Sequence, residues 1–296
     1  MALVTGLALA LPASFAAAGT APAAAVPNAA LPNAALPNTA LPGTDADLYG
    51  KAVCGANAWD WAGTKPRMVA HDSAGSCIKV PSKTRAAMSV TKAPDNGSFP
   101  NISSGYELNE NSCPSAADMK AGLCDKYPVE VAREGNPVAS FSGHTAAGYA
   151  GNFAFDTYFA AKASSTSFQA RCSTVLSKAD VEIMVWISHP GDLQPGSPAG
   201  FYTTEVDGRP WHVDEWETPD GCPAGEYWRL VIFMAPQVTN GVVAVQGLKL
   251  SDFFSYAIRS GWLRTNEYLL AIDLGWEMKR GGAGNAIDSY TLSGVK

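Results

Sequence analysis

Charge is scarce in this 296-residue chain: only 16% of residues are Asp, Glu, Lys or Arg, and the net charge is −6. No cluster of Lys or Arg stands out, which argues against a nucleic-acid partner, whose phosphates require a basic face. Histidine is scarcer still. The four histidines, His71, His144, His189 and His212, are scattered, and the six cysteines form no Cys-x-x-Cys pair. A zinc site therefore lacks its usual ligand spacing, no metal is expected, and nothing in the chain calls for a cofactor. Gly-x-Ser-x-Gly is absent, which disfavours a serine nucleophile on a strand-to-helix elbow. Beyond the first residues, no apolar run is long enough to cross a bilayer. Set against these shortages, hydrophobic residues make up 47% of the chain. That is enough for a sizeable core and too much for wholesale disorder.

Three zones follow from texture. Residues 1–23 join an apolar stretch to small residues around Ala13, Ser14, Phe15 and Ala16, the layout of a secretory signal with its cleavage region. A retained membrane anchor is the competing reading, but the stretch is short for a span and Pro12 breaks it. Residues 24–48 place proline at every fifth position, which blocks helix and sheet and favours an extended tether. A recognition motif for a wall partner is the other reading of this repeat. Residues 49–296 then read as one folded domain. An even number of cysteines fits an oxidising, extracellular compartment. We expect sequential pairs, Cys54 with Cys77, Cys113 with Cys124 and Cys172 with Cys222, although spacing alone does not choose among the connectivities six cysteines allow. Each such staple contributes about 3 kcal/mol where its geometry is unstrained.

From residue 49 onward, short β-rich runs alternate with Gly, Pro, Asn and Asp, as at 152–160, 181–188, 227–234 and 268–276. One stretch, 251–261, is predicted helical. Ser251 can cap it, Phe253, Phe254, Ala257 and Ile258 form its apolar stripe, and Gly261 can end it. Many strands and one helix predict a single all-β sandwich.

Strand alternation carries the chemistry. In 181–188, Val181, Ile183, Val185 and Ile187 share one aliphatic face, leaving Glu182, Met184, Trp186 and Ser188 on the other. In 268–277, Tyr268, Leu270, Ile272, Leu274 and Trp276 face one way and Ala271, Asp273, Gly275 and Glu277 the other. In 152–159, Phe153, Phe155 and Phe159 point inward while Asn152, Asp156 and Tyr158 point out. Three strands thus aim carboxylates at one surface, which packing alone would avoid because clustered carboxylates raise one another's pKa. A mixed second core layer with Glu182 at its rim is the bland alternative.

Paired carboxylates are what cleavage of a glycosidic bond needs: one protonates the leaving oxygen while the other attacks the anomeric carbon or activates water. In a retaining enzyme they stand about 5–5.5 Å apart, a separation expected here from adjacent strands. Sugar rings present apolar C–H faces that stack on aromatic side chains. Trp59, Trp61, Trp186, Trp211 and Tyr158 are the candidates, with Trp59 foremost.

At these residues the sequence resembles glycoside hydrolase family 12, small endoglucanases with a β-jelly-roll fold of two antiparallel sheets and one helix around a concave cleft. The likeness runs through Val181-Glu182-Ile183-Met184-Val185-Trp186, Gln194-Pro195-Gly196-Ser197-Pro198, Gly208-Arg209-Pro210-Trp211 and Gly275-Trp276-Glu277 with Gly281-Gly282. Upstream it continues in Asn57-Ala58-Trp59, Phe99-Pro100-Asn101-Ile102 and Phe155-Asp156. The resemblance implies that Glu182 is the nucleophile and Glu277 the acid, then base, with Asp156 holding the nucleophile's protonation state. It also implies that Asn57, Trp59 and Met184 contact sugar, with Trp186 and Tyr158 beside them. The charge on Glu182 is expected to hold a proton on Glu277 near neutral pH.

The chain departs from the family where Met278-Lys279 follows Glu277 in place of Pro and an aromatic. Asp60 stands for the usual glycine, and the pair Cys172 and Cys222 is additional. The activity implied is a secreted endo-β-1,4-glucanase acting as a monomer on amorphous cellulose, mixed-linkage glucan or xyloglucan. A xylanase on the same sandwich, or a carbohydrate-binding jelly roll without catalysis, are the rival readings.

Overall fold

The computed structural model describes residues 48–54, 58–61, 66–72, 75–94, 98–105, 127–162, 172–189, 202–219, 222–236 and 241–296. The expected signal and nearly all of the tether, Asn57, the Cys113 and Cys124 pair and the loop at 194–198 lie outside these residues. Within them run sixteen strands. They are β1 (Ala52–Cys54), β2 (Ala58–Trp61), β3 (Met68–His71), β4 (Cys77–Lys79), β5 (Met88–Lys92), β6 (Asn101–Gly105), β7 (Val129–Glu130) and β8 (Gly135–His144). Then follow β9 (Ala150–Ala160), β10 (Val181–Ser188), β11 (Tyr202–Val206), β12 (Arg209–Thr218), β13 (Trp228–Met234), β14 (Val242–Lys249), β15 (Tyr268–Arg280) and β16 (Ala286–Val295).

The strands form two sheets, as the all-β jelly-roll reading requires. The smaller has the order β1-β4-β5-β16-β8-β14, and the larger β11-β12-β13-β10-β9-β15-β6-β3-β2, with β7 added to β15. Pairing is antiparallel except between β10 and β13. β10 begins and ends where its alternation predicts, and β15 continues four residues beyond the expected 268–276, through the carboxylate at 277 to Arg280.

The core fills the space between the sheets because each long strand offers it one face of apolar side chains. Val181, Ile183, Val185 and Ile187 of β10 are buried there, as are Phe153, Phe155 and Phe159 of β9 and Leu270, Ile272, Leu274 and Trp276 of β15. Aromatic edges lock the layers. Phe141 of β8 meets Phe153 at 5.3 Å and Phe155 at 5.7 Å, edge to face, and Phe153 stacks on Trp276 at 5.0 Å.

One α-helix is present among the described residues, α1 (Leu250–Arg259). It buries Leu250, Phe253, Phe254 and Ala257, the spacing of one helical face. Phe253 meets Trp211 and Phe233, and Phe254 meets Phe159. The helix starts one residue before the expected Ser251, and no side chain caps it: Lys249 occupies the N-cap and Ser251 is buried in the first turn. Its end is as predicted. Gly261 adopts φ +74°, its N–H donates to the Ile258 carbonyl and that of Trp262 to Ala257, the two bonds of a Schellman motif.

The disulfides Cys54–Cys77 and Cys172–Cys222 form as expected. The second, with the Ser173–Tyr227 bridge, ties the approach to β10 to the turn between β12 and β13.

One buried acid stands apart from the cleft. Glu134 is 6% exposed, its Oε2 has no hydrogen-bond partner, and burial pushes its carboxyl up to about 8. The folded state therefore holds this proton where the unfolded chain has lost it, so its contribution to stability falls as pH rises from about 4.5 to about 8. Glu134→Gln is expected to leave the melting temperature unchanged at pH 4 and to raise it by about 5 °C at pH 9. Equal shifts at both pH values would rule this account out.

Candidate active site

Directly opposed residues on antiparallel strands share a face of the sheet. Since β9 lies between β10 and β15, it sets which side chains meet on the face turned away from the core. Glu182 opposes Tyr158, and Tyr158 in turn opposes Ala271. Met184 opposes Asp156, which opposes Asp273, and Trp186 opposes Ala154, which opposes Gly275. At the far end Asn152 opposes Glu277. Glu182, Asp156, Asp273 and Glu277 thus occupy one surface, as alternation predicted. The two glutamate strands are not neighbours, contrary to expectation, because β9 separates them. Glu182 and Glu277 are also staggered along it, from the level of Tyr158 to that of Asn152.

A cleft lies on this surface, with about 330 Å³ of space between its walls, part of it open to solvent. It is lined by Phe99, Asn101, Asn152, Ala154, Asp156, Tyr158, Met184, Asp273, Gly275, Trp276 and Glu277. Glu182, 8% exposed, borders it through its neighbours Tyr158 and Met184. On the other side of Glu182 an apolar patch of Met184, Trp186, Leu230, Ile232 and Met234 continues across β10 and β13, with Trp216 and Trp228 half-buried against it. His71, on the same face through its pairing with Asn101, is buried and its imidazole is pushed down to about 3, so it stays neutral.

Glu277 is held from β9. The Asn152 amide donates to its Oε2. The Tyr149 hydroxyl reaches the backbone carbonyls of both Asn152 (2.5 Å) and Glu277 (3.1 Å), clamping β9 to β15 at this level. Gly151 makes the clamp possible, since a Cβ there would collide with the Glu277 carbonyl and press on the Tyr149 hydroxyl. Gly275 serves a similar purpose on the opposite side, where a Cβ would meet the Pro100 carbonyl at 2.5 Å. Burial raises the Glu277 carboxyl above the usual carboxylate range, and the Asn152 amide and the Lys279 ammonium pull it part of the way back. The expected direction holds but its source differs: loss of water raises this group, and the charge of Glu182 is not among the causes.

Among the other predicted contacts, Asp156, Met184 and Tyr158 line the cleft. Trp186 is buried in the apolar patch on the same face. Trp59 does not reach the surface. It is 2% exposed and belongs to the core between the sheets, as do Trp61 and Trp211. In the four-residue β2, Trp59 and Trp61 share one face and both turn inward, Trp61 donating to the Ser82 carbonyl at 3.0 Å. Trp211 likewise donates to Val206 and packs on Phe253. Phe99 and Asn101 line the cleft without having been singled out as contacts. The register explains both: Ser98 bridges Met278 and Asn101 pairs with Gly275, so Phe99 falls beside Glu277.

Removing the Asn152 donor should raise Glu277 further, because its hydrogen bond favours the ionised form. Following the Glu277 carboxyl by carbon NMR, Asn152→Ala should titrate at a higher pH than the parent. A lower or unchanged midpoint would remove Asn152 as its partner.

Comparison with known proteins agrees with this arrangement. The sequence profile of glycosyl hydrolase family 12 matches residues 69–294. Endoglucanase cel12A from Rhodothermus marinus superposes with a TM-score of 0.63 at 21% identity, covering 82% of this chain and 99% of that one. A metagenome-derived glycoside hydrolase family 12 endoglucanase gives 0.63 at 19%, over 82% and 97%. A family 12 xyloglucanase from Bacillus licheniformis gives 0.56 at 17%, over 76% and 92%. At these identities the structural likeness speaks for the fold. No curated protein sequence matches the chain. With the profile spanning both strands that carry the glutamates, and the jelly-roll sandwich and its acidic cleft in place, the chain belongs to glycosyl hydrolase family 12 and is a glycoside hydrolase.

Proposed function

We propose that this protein is a secreted endo-β-1,4-glucanase that hydrolyses its substrate by double displacement, with Glu182 as nucleophile and Glu277 as acid and then base. The observation that carries this reading is the raised carboxyl of Glu277, which the Asn152 amide holds from β9. Burial raises the Glu277 carboxyl above the ordinary carboxylate range, which favours the proton that a donor to a leaving oxygen needs. Glu182 lies diagonal to Asp156 on the same face, a neighbour suited to holding it in the reactive state.

In the first step Glu182 attacks the anomeric carbon, the glycosidic C–O bond breaks, and the Glu277 proton passes to the departing oxygen. In the second, Glu277, now ionised, takes a proton from water, whose oxygen attacks the same carbon and releases Glu182. Straight strands would separate the levels of Tyr158 and Asn152 by about 20 Å, against the roughly 5–5.5 Å a retaining pair requires. Retention therefore depends on curvature of the sheet and inward-leaning side chains to close the stagger around the sugar.

β-1,4-Glucan is the preferred substrate class, on the resemblance of the Glu182 and Glu277 segments to family endoglucanases. A xyloglucanase is the second reading, favoured by the shared fold with the Bacillus licheniformis enzyme. Export is supported by the signal-like residues 1–23 and by the two disulfides, which suit an oxidising compartment.

Reducing-sugar release from carboxymethylcellulose, β-glucan and xyloglucan tests the proposal. The parent should be active, with Glu182→Gln and Glu277→Gln each lower by about a thousandfold or more. Full activity in either variant would remove that residue from the chemistry. Proton NMR of the first product should show the β-anomer; initial α-anomer would make the reaction inverting and Glu182 a base toward water. The alkaline limb of kcat/KM should lie above the ordinary carboxylate range, reporting Glu277.

A further inference from the structure

We infer that Phe99 is the aromatic platform on which the glucosyl unit next to the scissile bond packs, taking the place of the ring missing after Glu277. The inference rests on the glucanase reading above and adds a substrate contact to it.

Four large hydrophobic side chains stand exposed among the described residues: Phe99, Val175, Tyr202 and Val242. Of these, Phe99 lines the cleft. Its position follows from backbone pairing. Ser98 bridges Met278, the Met278 N–H donates to the Ser98 carbonyl at 2.9 Å, and Asn101 pairs with Gly275. Between those two anchors Phe99 stands directly opposite Glu277, on the side away from Asn152. The acid thus has a polar partner on one flank and a phenyl ring on the other.

The residues after Glu277 cannot supply that ring. Met278 turns into the core at 1% exposure, while Lys279 and Arg280 are exposed and carry no aromatic ring. A phenyl group left 36% exposed forgoes part of its transfer free energy, and a sugar ring laid over it would recover that burial. Sugar C–H groups and an aromatic face are complementary in shape and polarity. The Asn101 amide, donating to the Phe99 carbonyl at 3.4 Å, helps hold the segment in place.

Binding separates this contact from the chemistry. In a Glu182→Gln background, cellopentaose affinity measured by titration calorimetry should weaken about tenfold on Phe99→Ala and recover on Phe99→Trp. In the active protein the same substitution should raise KM about tenfold, with kcat and its pH profile little changed. Unchanged affinity in Phe99→Ala, or a loss that Trp does not repair, overturns the inference. If the parent hydrolyses no β-glucan yet Phe99→Ala still weakens oligomer binding, the glucanase reading falls and the platform stands.

Discussion

Everything at the cleft hangs on the way β9 is paired on both of its edges. Because strand side chains alternate, a one-residue slip against β10 or β15 would turn Glu182 or Glu277 into the core and bring phenyl and indole rings out. What forbids the slip lies on the opposite face, where Phe153 and Phe155 interlock with Phe141 and Trp276. The aromatic layer between the sheets is thus a positional device for the acids on the other side. Packing and chemistry are two faces of the same three strands.

The second constraint is the cost of keeping a carboxyl away from water. At Glu277 the fold accepts that cost in part and offsets it in part: burial favours the proton, while the Asn152 amide and Lys279 favour the charge. A group balanced in this way changes state when its surroundings change a little. The Tyr149 clamp matters for that reason, since it fixes the two backbones from which donor and acceptor project. Gly151 leaves the space in which the clamp closes.

Long alternating strands were legible from residues alone. The Val and Ile face of β10 and the Phe face of β9 show which side of each strand meets the core, and the acidic surface follows; they do not show that β9 lies between the two glutamate strands. Trp59, Trp61 and Trp211 were not legible, since β2 is only four residues long and a Trp fits a core as well as a sugar. Tertiary packing decided for the core in all three. Phe99 was hidden for a different reason. It precedes β6, outside any alternating run, and gains its meaning only from the bridge between Ser98 and Met278. The cause of the raised Glu277 pKa was equally out of reach, because burial depth is a property of the whole sheet.

The placement of the last strand has a bearing on how the molecule comes into being. β16 lies inside the smaller sheet, hydrogen-bonded to β5 on one side and β8 on the other. A nascent chain that has emerged only as far as β15 already holds all four cleft acids but presents two unpaired inner edges, and the smaller sheet over its core lacks one inner strand. Such edges are templates for wrong partners. Acquisition of the acidic surface and acquisition of a sealed fold are therefore separate events in synthesis. The interval between them is when the exposed strand edges are most open to mispairing.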